Sequence, residues 1–253
     1  MMNPLMDVYH MTLIDHVVAV VICIFAPVLA YTSRNVSSEE IQLEPGEKIR
    51  LYHSNALLLF IFALVTVTIW RIPGRSLINL GLDWPLWNAQ IMFLLLAIVL
   101  FYALDVFFQY GLKRWRDKTL QQRHATLTFV PSNKTEFIHF ILLAFAAGIG
   151  EEIIFRGYLI QYAIYWTGNS PSGIMTACFF ASALFAFLHG YQGYRSMIKI
   201  FFLALLFSAI FVLSQSLLIV MLIHTVIDIL SGWLGIYLLR NFQHNELPEE
   251  EPK

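Results

Sequence analysis

Apolar residues in this chain fall neither in alternation nor at helical spacing, but in long stretches separated by short polar breaks. Seven stretches approach or exceed the roughly 20 residues that a helix needs to cross a hydrocarbon core, at about 12–32, 52–71, 87–110, 137–164, 173–189, 197–213 and 216–239. The fifth and sixth are near the short end, and the last break is tight enough to read as one broken hairpin, so six to eight spans are allowed. Helix is the element expected, because backbone facing lipid must satisfy its hydrogen bonds within its own segment. The pattern predicts an all-α, polytopic transmembrane helix bundle.

Composition agrees. Of 253 residues, 58% are hydrophobic and 13% charged, against about 45–50% and 25% in soluble domains. A net charge of −1 gives no basic surface for nucleic acid. Cys23 and Cys178 lie inside apolar runs without a CxxC pattern and read as small hydrophobes. Val28-Leu29-Ala30 resembles a signal-peptide cleavage site, but the flank before it carries Asp7 and Asp15 and no Lys or Arg. A secretory signal has a basic flank there, so the first run is expected to be retained.

Lys and Arg set the expected orientation. Segment 111–136 holds Lys113, Arg114, Arg116, Lys118, Arg123 and Lys134, and is expected in the cytoplasm. Seven spans then place Arg34, Lys48, Arg50, Arg195, Lys199, Arg240 and Lys253 on the same side and leave Arg71 and Arg75 outside. The expected topology is N-terminus out, C-terminus in. Three regions follow: 1–136 with the N-terminal spans and the basic loop, 137–240 with the polar motifs, and an acidic disordered tail at 241–253. Trp70, Trp84, Trp87 and Trp166 fit an interfacial aromatic belt. Asp105 and Gln109 are expected to reach water at the end of the third run.

The polar residues inside the runs change the picture. A charge near the bilayer centre costs about 2.5–3.5 kcal/mol on insertion scales. Glu151, Glu152, Arg156 and Asp228 must therefore be paired, neutralised or in a wet cavity. In GIGEEIIFRGY, Glu152 and Arg156 are i and i+4, the better order for an ion pair. Glu151 is rotated by about 100° and cannot share that partner equally. Gly148, Gly150 and Gly157 would let neighbouring helices approach closely. FAFLH puts His189 at the end of the fifth run, and HTVID puts His224 and Asp228 on one face of the last. Three runs thus bring carboxylates, imidazoles and a guanidinium into an apolar bundle.

EEIIFR, FAFLH and HTVID, in that order, resemble the EExxxR, FxxxH and HxxxN/D motifs of the CAAX protease and bacteriocin-processing (Abi) family of intramembrane endopeptidases. The resemblance covers about 137–240. It implies that Glu151 activates a water with help from His189, that His224 and residue 228 stabilise the oxyanion, and that Glu152 and Arg156 are a supporting pair. Asp228 departs from the HxxxN of the prenyl-protein branch, because an ionised carboxylate cannot donate to an oxyanion. It would instead fix the His224 tautomer, stabilise its imidazolium, or join Glu151, His189 and His224 around zinc or another divalent metal.

The expected function is a membrane-embedded endopeptidase acting on a membrane-associated or lipidated protein or peptide. A glutamate-activated, cofactor-free route is favoured over a metal-dependent one. The rival is a non-hydrolytic immunity or adaptor protein of the same fold. A small proton-coupled permease is the third class, disfavoured because no inverted repeat is visible. Expected partners are that substrate and the lipid bilayer, and the expected location is a bacterial inner membrane.

Overall fold

The computed structural model describes residues 8–36, 45–108 and 130–242. Gln109, the basic residues of 111–129 and the acidic tail from 243 onward lie outside the described residues. Among the described residues there are no strands, and seven helices are long and apolar enough to cross a membrane. Helix α1 joins Leu13–Val20, a π-helical Val21–Phe25 and Ala26–Val36. Then come α2 (Pro45–Arg71) and α3 (Ala89–Val106). Helix α4 joins Lys134–Glu152, a π-helical Ile153–Leu159 and Ile160–Thr167. The last three are α5 (Pro171–Leu188), α6 (Tyr194–Ser214) and α7 (Leu217–Phe242).

Local chemistry sets the helix ends. Asn88, Asn133 and Ser170 each accept a hydrogen bond from the backbone N–H three residues on, and Pro171 follows Ser170 at the first helical position. Thr12 and Asp15 form a reciprocal capping box. Helix α4 stops at Gly168, with φ of 78°, and α6 at Gln215, with φ of 57°. The α6–α7 hairpin needs only Gln215 and Ser216.

Helix α4 is the centre of the bundle, packed chiefly against α2 and α7, with its second half against α5. Its glycines permit this. A Cβ on Gly148 would collide with the Thr225 side chain of α7, and one on Gly150 would come within 3.1 Å of the Leu59 carbonyl of α2. One on Gly157 would meet Leu217 and the Leu80 carbonyl at 3.0 Å. The expected close approach is therefore present at all three. Apolar side chains such as Leu13, Leu64, Phe93 and Met175 are exposed around the outside, as lipid contact requires.

At one end of the bundle a polar knot joins α1, the segment after α2, and α4. Arg75 donates to both carboxylate oxygens of Asp15, at 3.0 and 2.7 Å, and to the His10 carbonyl. The Tyr158 hydroxyl donates to the Asp15 carbonyl at 2.9 Å. Arg75 is thus used as a structural cation rather than an exposed topological marker. Trp70 also departs from the belt expectation: it is fully buried beneath Arg75, and its indole N–H donates to the Ser76 carbonyl. Pairing with the guanidinium and a backbone acceptor satisfies it without an interface. Trp84, Trp87 and Trp166 are exposed.

At the opposite end, Lys48 pairs with Glu136 at 3.2 Å and donates to the Val130 carbonyl. Lys199 of α6 pairs with Asp105 of α3 at 3.0 Å. Asp105 is therefore partnered by a neighbouring helix, since the bundle brings α3 and α6 together. Cys23 and Cys178 are unbridged and pack, partly buried, against the apolar core.

Candidate active site

The three motifs converge near the end of the bundle that carries His189. EEIIFR spans the change in α4 from α-helix to π-helix: Glu151 and Glu152 end the α-helical part, and Arg156 lies inside Ile153–Leu159. Such π-helical insertions inside α-helices occur often at functional sites. The wider turn still lets Arg156 reach back one turn, and its Nη1 donates to Glu152 Oε1 at 2.8 Å.

That ion pair is closed to solvent, with Glu152 at 0% and Arg156 at 1% exposure. The guanidinium lies over Phe185 at 4.5 Å and Phe207 at 5.5 Å, so α5 and α6 contribute aromatic faces to it. The expected i, i+4 pairing is present.

Glu152 has a second partner that spacing did not indicate. Its Oε1 lies 2.6 Å from His224 Nδ1 on α7. A carboxylate accepts and does not donate, so Nδ1 carries the proton and Glu152 fixes the ring. Asp228, expected as one candidate for that task, stands on the other side of the imidazole. Its Oδ2 is 3.7 Å from Nε2, and Glu151 Oε2 is 3.8 Å from the same nitrogen. The reason is geometric: i, i+4 spacing puts Asp228 on the His224 face of α7, while the close α4–α7 contact at Gly148 brings Glu152 against Nδ1.

Both longer separations exceed hydrogen-bond range, so Glu151, Asp228 and His224 Nε2 meet without consuming one another's hydrogen-bonding capacity. Side-chain exposure rises outward, from 0% at Glu152 through 11% at His224 and 16% at Glu151 to 32% at Asp228. The anchored carboxylate is inside and the other two are partly exposed.

His189 caps the end of α5. Its Nδ1 is 2.8 Å from the Phe185 carbonyl, which can only accept, so the neutral ring presents Nε2 as its base. Its ring tilts over Phe185 at 4.5 Å, and Phe185 lies edge-on to His224 at 6.2 Å. All six motif residues therefore belong to one neighbourhood built from α4, α5 and α7, with Phe207 of α6 as a wall.

The donor types Glu151, His189, His224 and Asp228 are chemically acceptable to zinc. Among the described residues, however, no group of three or more His, Cys, Asp or Glu side chains is arranged to hold a metal ion.

Fold and site define a polytopic helical membrane protein with a carboxylate–imidazole cluster inside the bundle. Residues 133–230 match the model of the family described as Rce1-like, type II CAAX prenyl endopeptidase. The match begins at the N-cap residue of α4 and takes in all three motifs, so this segment is similar to the CAAX protease family. Neither the curated proteins nor the solved structures yield a match to the chain.

Proposed function

We propose that the chain is a membrane-embedded endopeptidase that cleaves a membrane-associated or lipidated peptide with a glutamate-activated water. The observation that carries this reading is the division of labour between adjacent carboxylates. Glu152 is buried and held by Arg156 and His224 Nδ1, whereas Glu151 is partly exposed beside His224 Nε2. A general base needs an accessible lone pair, and only Glu151 of the pair offers one.

In this mechanism Glu151 takes a proton from water as its oxygen adds to the scissile carbonyl carbon. His189 Nε2 orients that water and relays the proton to the leaving amine as the C–N bond breaks. His224 stabilises the oxyanion through Nε2, with its own charge balanced by Glu152 and Asp228. Preorganised donors of this kind are commonly the largest single contribution to acyl-transfer catalysis. No metal enters this route.

The family description supports a prenylated CAAX substrate, while Asp at 228 in place of Asn leaves substrate class as the quantity to measure. The Lys and Arg distribution supports a cytoplasmic position for the His189 end, and the setting proposed is a bacterial inner membrane. The test uses purified wild-type protein and Glu151→Gln in detergent micelles, against internally quenched peptides with and without a prenyl group. Cleavage by wild type alone is expected. Equal release by both proteins, or by neither, would return the reading to an immunity or adaptor protein.

A further inference from the structure

His224 is the one oxyanion donor named so far, and Asp228 cannot act as a second while ionised. The segment immediately after His189 offers another. Helix α5 ends there and the chain turns tightly through Gly190–Gln192, with the Gln192 N–H bonded to the His189 carbonyl at 3.0 Å. This turn folds Tyr191 back so that its ring lies 6.2 Å from the His189 ring, inclined by 30°. The Gln192 side-chain amide donates to the phenol oxygen at 3.1 Å and holds the hydroxyl in place. Tyr191 is half exposed, at the surface rather than in the core.

Tyr191 therefore stands beside His189, the residue that the hydrolytic reading places on the attacking water. An ordinary phenol, with a pKa of about 10, is protonated at neutral pH and can donate. It remains an O–H donor across the working range of a carboxylate base.

We propose that Tyr191 is a further catalytic residue, whose O–H donates to the oxyanion of the tetrahedral intermediate and takes the place of the donor that Asp228 lacks. This rests on the hydrolytic reading above. The phenol proton is not transferred: the hydrogen bond strengthens as charge develops on the carbonyl oxygen and relaxes when the C–N bond breaks. Gly190 and Gly193 flank the turn, the latter at φ of 90°, where a side chain would be strained. Gly193 lets the chain leave the turn without that strain.

The experiment measures kcat and KM for wild type, Tyr191→Phe and Tyr191→Ala on the peptide of that panel cleaved fastest. Tyr191→Phe keeps the ring and removes the donor. Its kcat is expected to fall about 100-fold, with KM within about two-fold and an unchanged unfolding midpoint in SDS. In an Asp228→Asn background the same change is expected to cost far less, because the amide N–H can donate. Wild-type kcat in Tyr191→Phe, with loss only in Tyr191→Ala, would overturn the proposal in favour of a packing role. So would an activity loss that tracks a lower folded fraction. A wild-type protein that cleaves nothing on the panel overturns the parent reading instead, before any Tyr191 variant is compared.

Discussion

Replacing Arg156 by Ala isolates the most buried acid of the site. Glu152 Oε1 sits 2.8 Å from the guanidinium, where an effective dielectric of about 20 gives an attraction of about 6 kcal/mol. Not all of this is lost, because His224 Nδ1 remains 2.6 Å from the same oxygen. Breaking a buried pair by removing one member costs about 3–5 kcal/mol, and that is the loss expected for Arg156→Ala. It includes the contacts of the guanidinium with the Phe185 and Phe207 faces. The double variant Glu152→Gln/Arg156→Met should recover most of the loss, since it leaves no uncompensated charge. SDS titration of the purified protein, followed by tryptophan fluorescence, measures both. A wild-type midpoint for Arg156→Ala, or a double variant as unstable as the single one, would refute the pairing argument.

Other consequences follow from the same geometry. Gly148→Ala places a methyl group against Thr225; it should cost about 1–3 kcal/mol and reduce cleavage, by moving His224 away from Glu152. Gly46→Ala, with nothing within 4 Å of the added atom, is the control, and equal effects of the two would contradict this packing account. Arg75→Ala leaves Asp15 buried without its cation and should loosen α1. Maleimide labelling of Cys23, which lines a cavity of about 390 Å³ between α1, α4 and α5, should then quicken; an unchanged rate would show that the knot does not hold α1. Thorough chelation should leave cleavage intact with no stoichiometric metal in the purified protein. Loss that zinc restores would transfer the reaction to a metal.

The seven spans, and the pairing of Glu152 with Arg156, were readable because each depends on neighbours in sequence. A run of about 20 apolar residues states its own length, and i, i+4 spacing states its own face. The three glycines of α4 were readable for the same reason, as small residues at a helix contact, although their partners Thr225, Leu59 and Leu217 were not. The link from Glu152 to His224 spans 72 residues and depends on how closely α4 and α7 approach. Reading each motif alone could not choose between Glu152 and Asp228 as the holder of the imidazole. Asp15 and Arg75, 60 residues apart, were read as flanking and topological charges. The signal that could have joined them was an acid within an apolar run matched by a lone arginine in the next loop at the same end. Trp70 was misplaced on the same grounds: a tryptophan at the end of a span fits a belt until a buried cation and a carbonyl acceptor are known to be beside it. The π-helical turn at Ile153–Leu159 has no pattern in the sequence that distinguishes it from ordinary helix.

The central claim is that Glu151 activates the attacking water while Glu152 beside it does not. The most direct measurement compares protein N- and C-termini by mass spectrometry in cells expressing wild type or Glu151→Gln at equal levels. The account predicts a set of membrane-associated precursors that stays uncut only with Glu151→Gln, although that variant accumulates and folds normally. Identical termini in the two strains, with the same partner protein co-purifying from both, would contradict it.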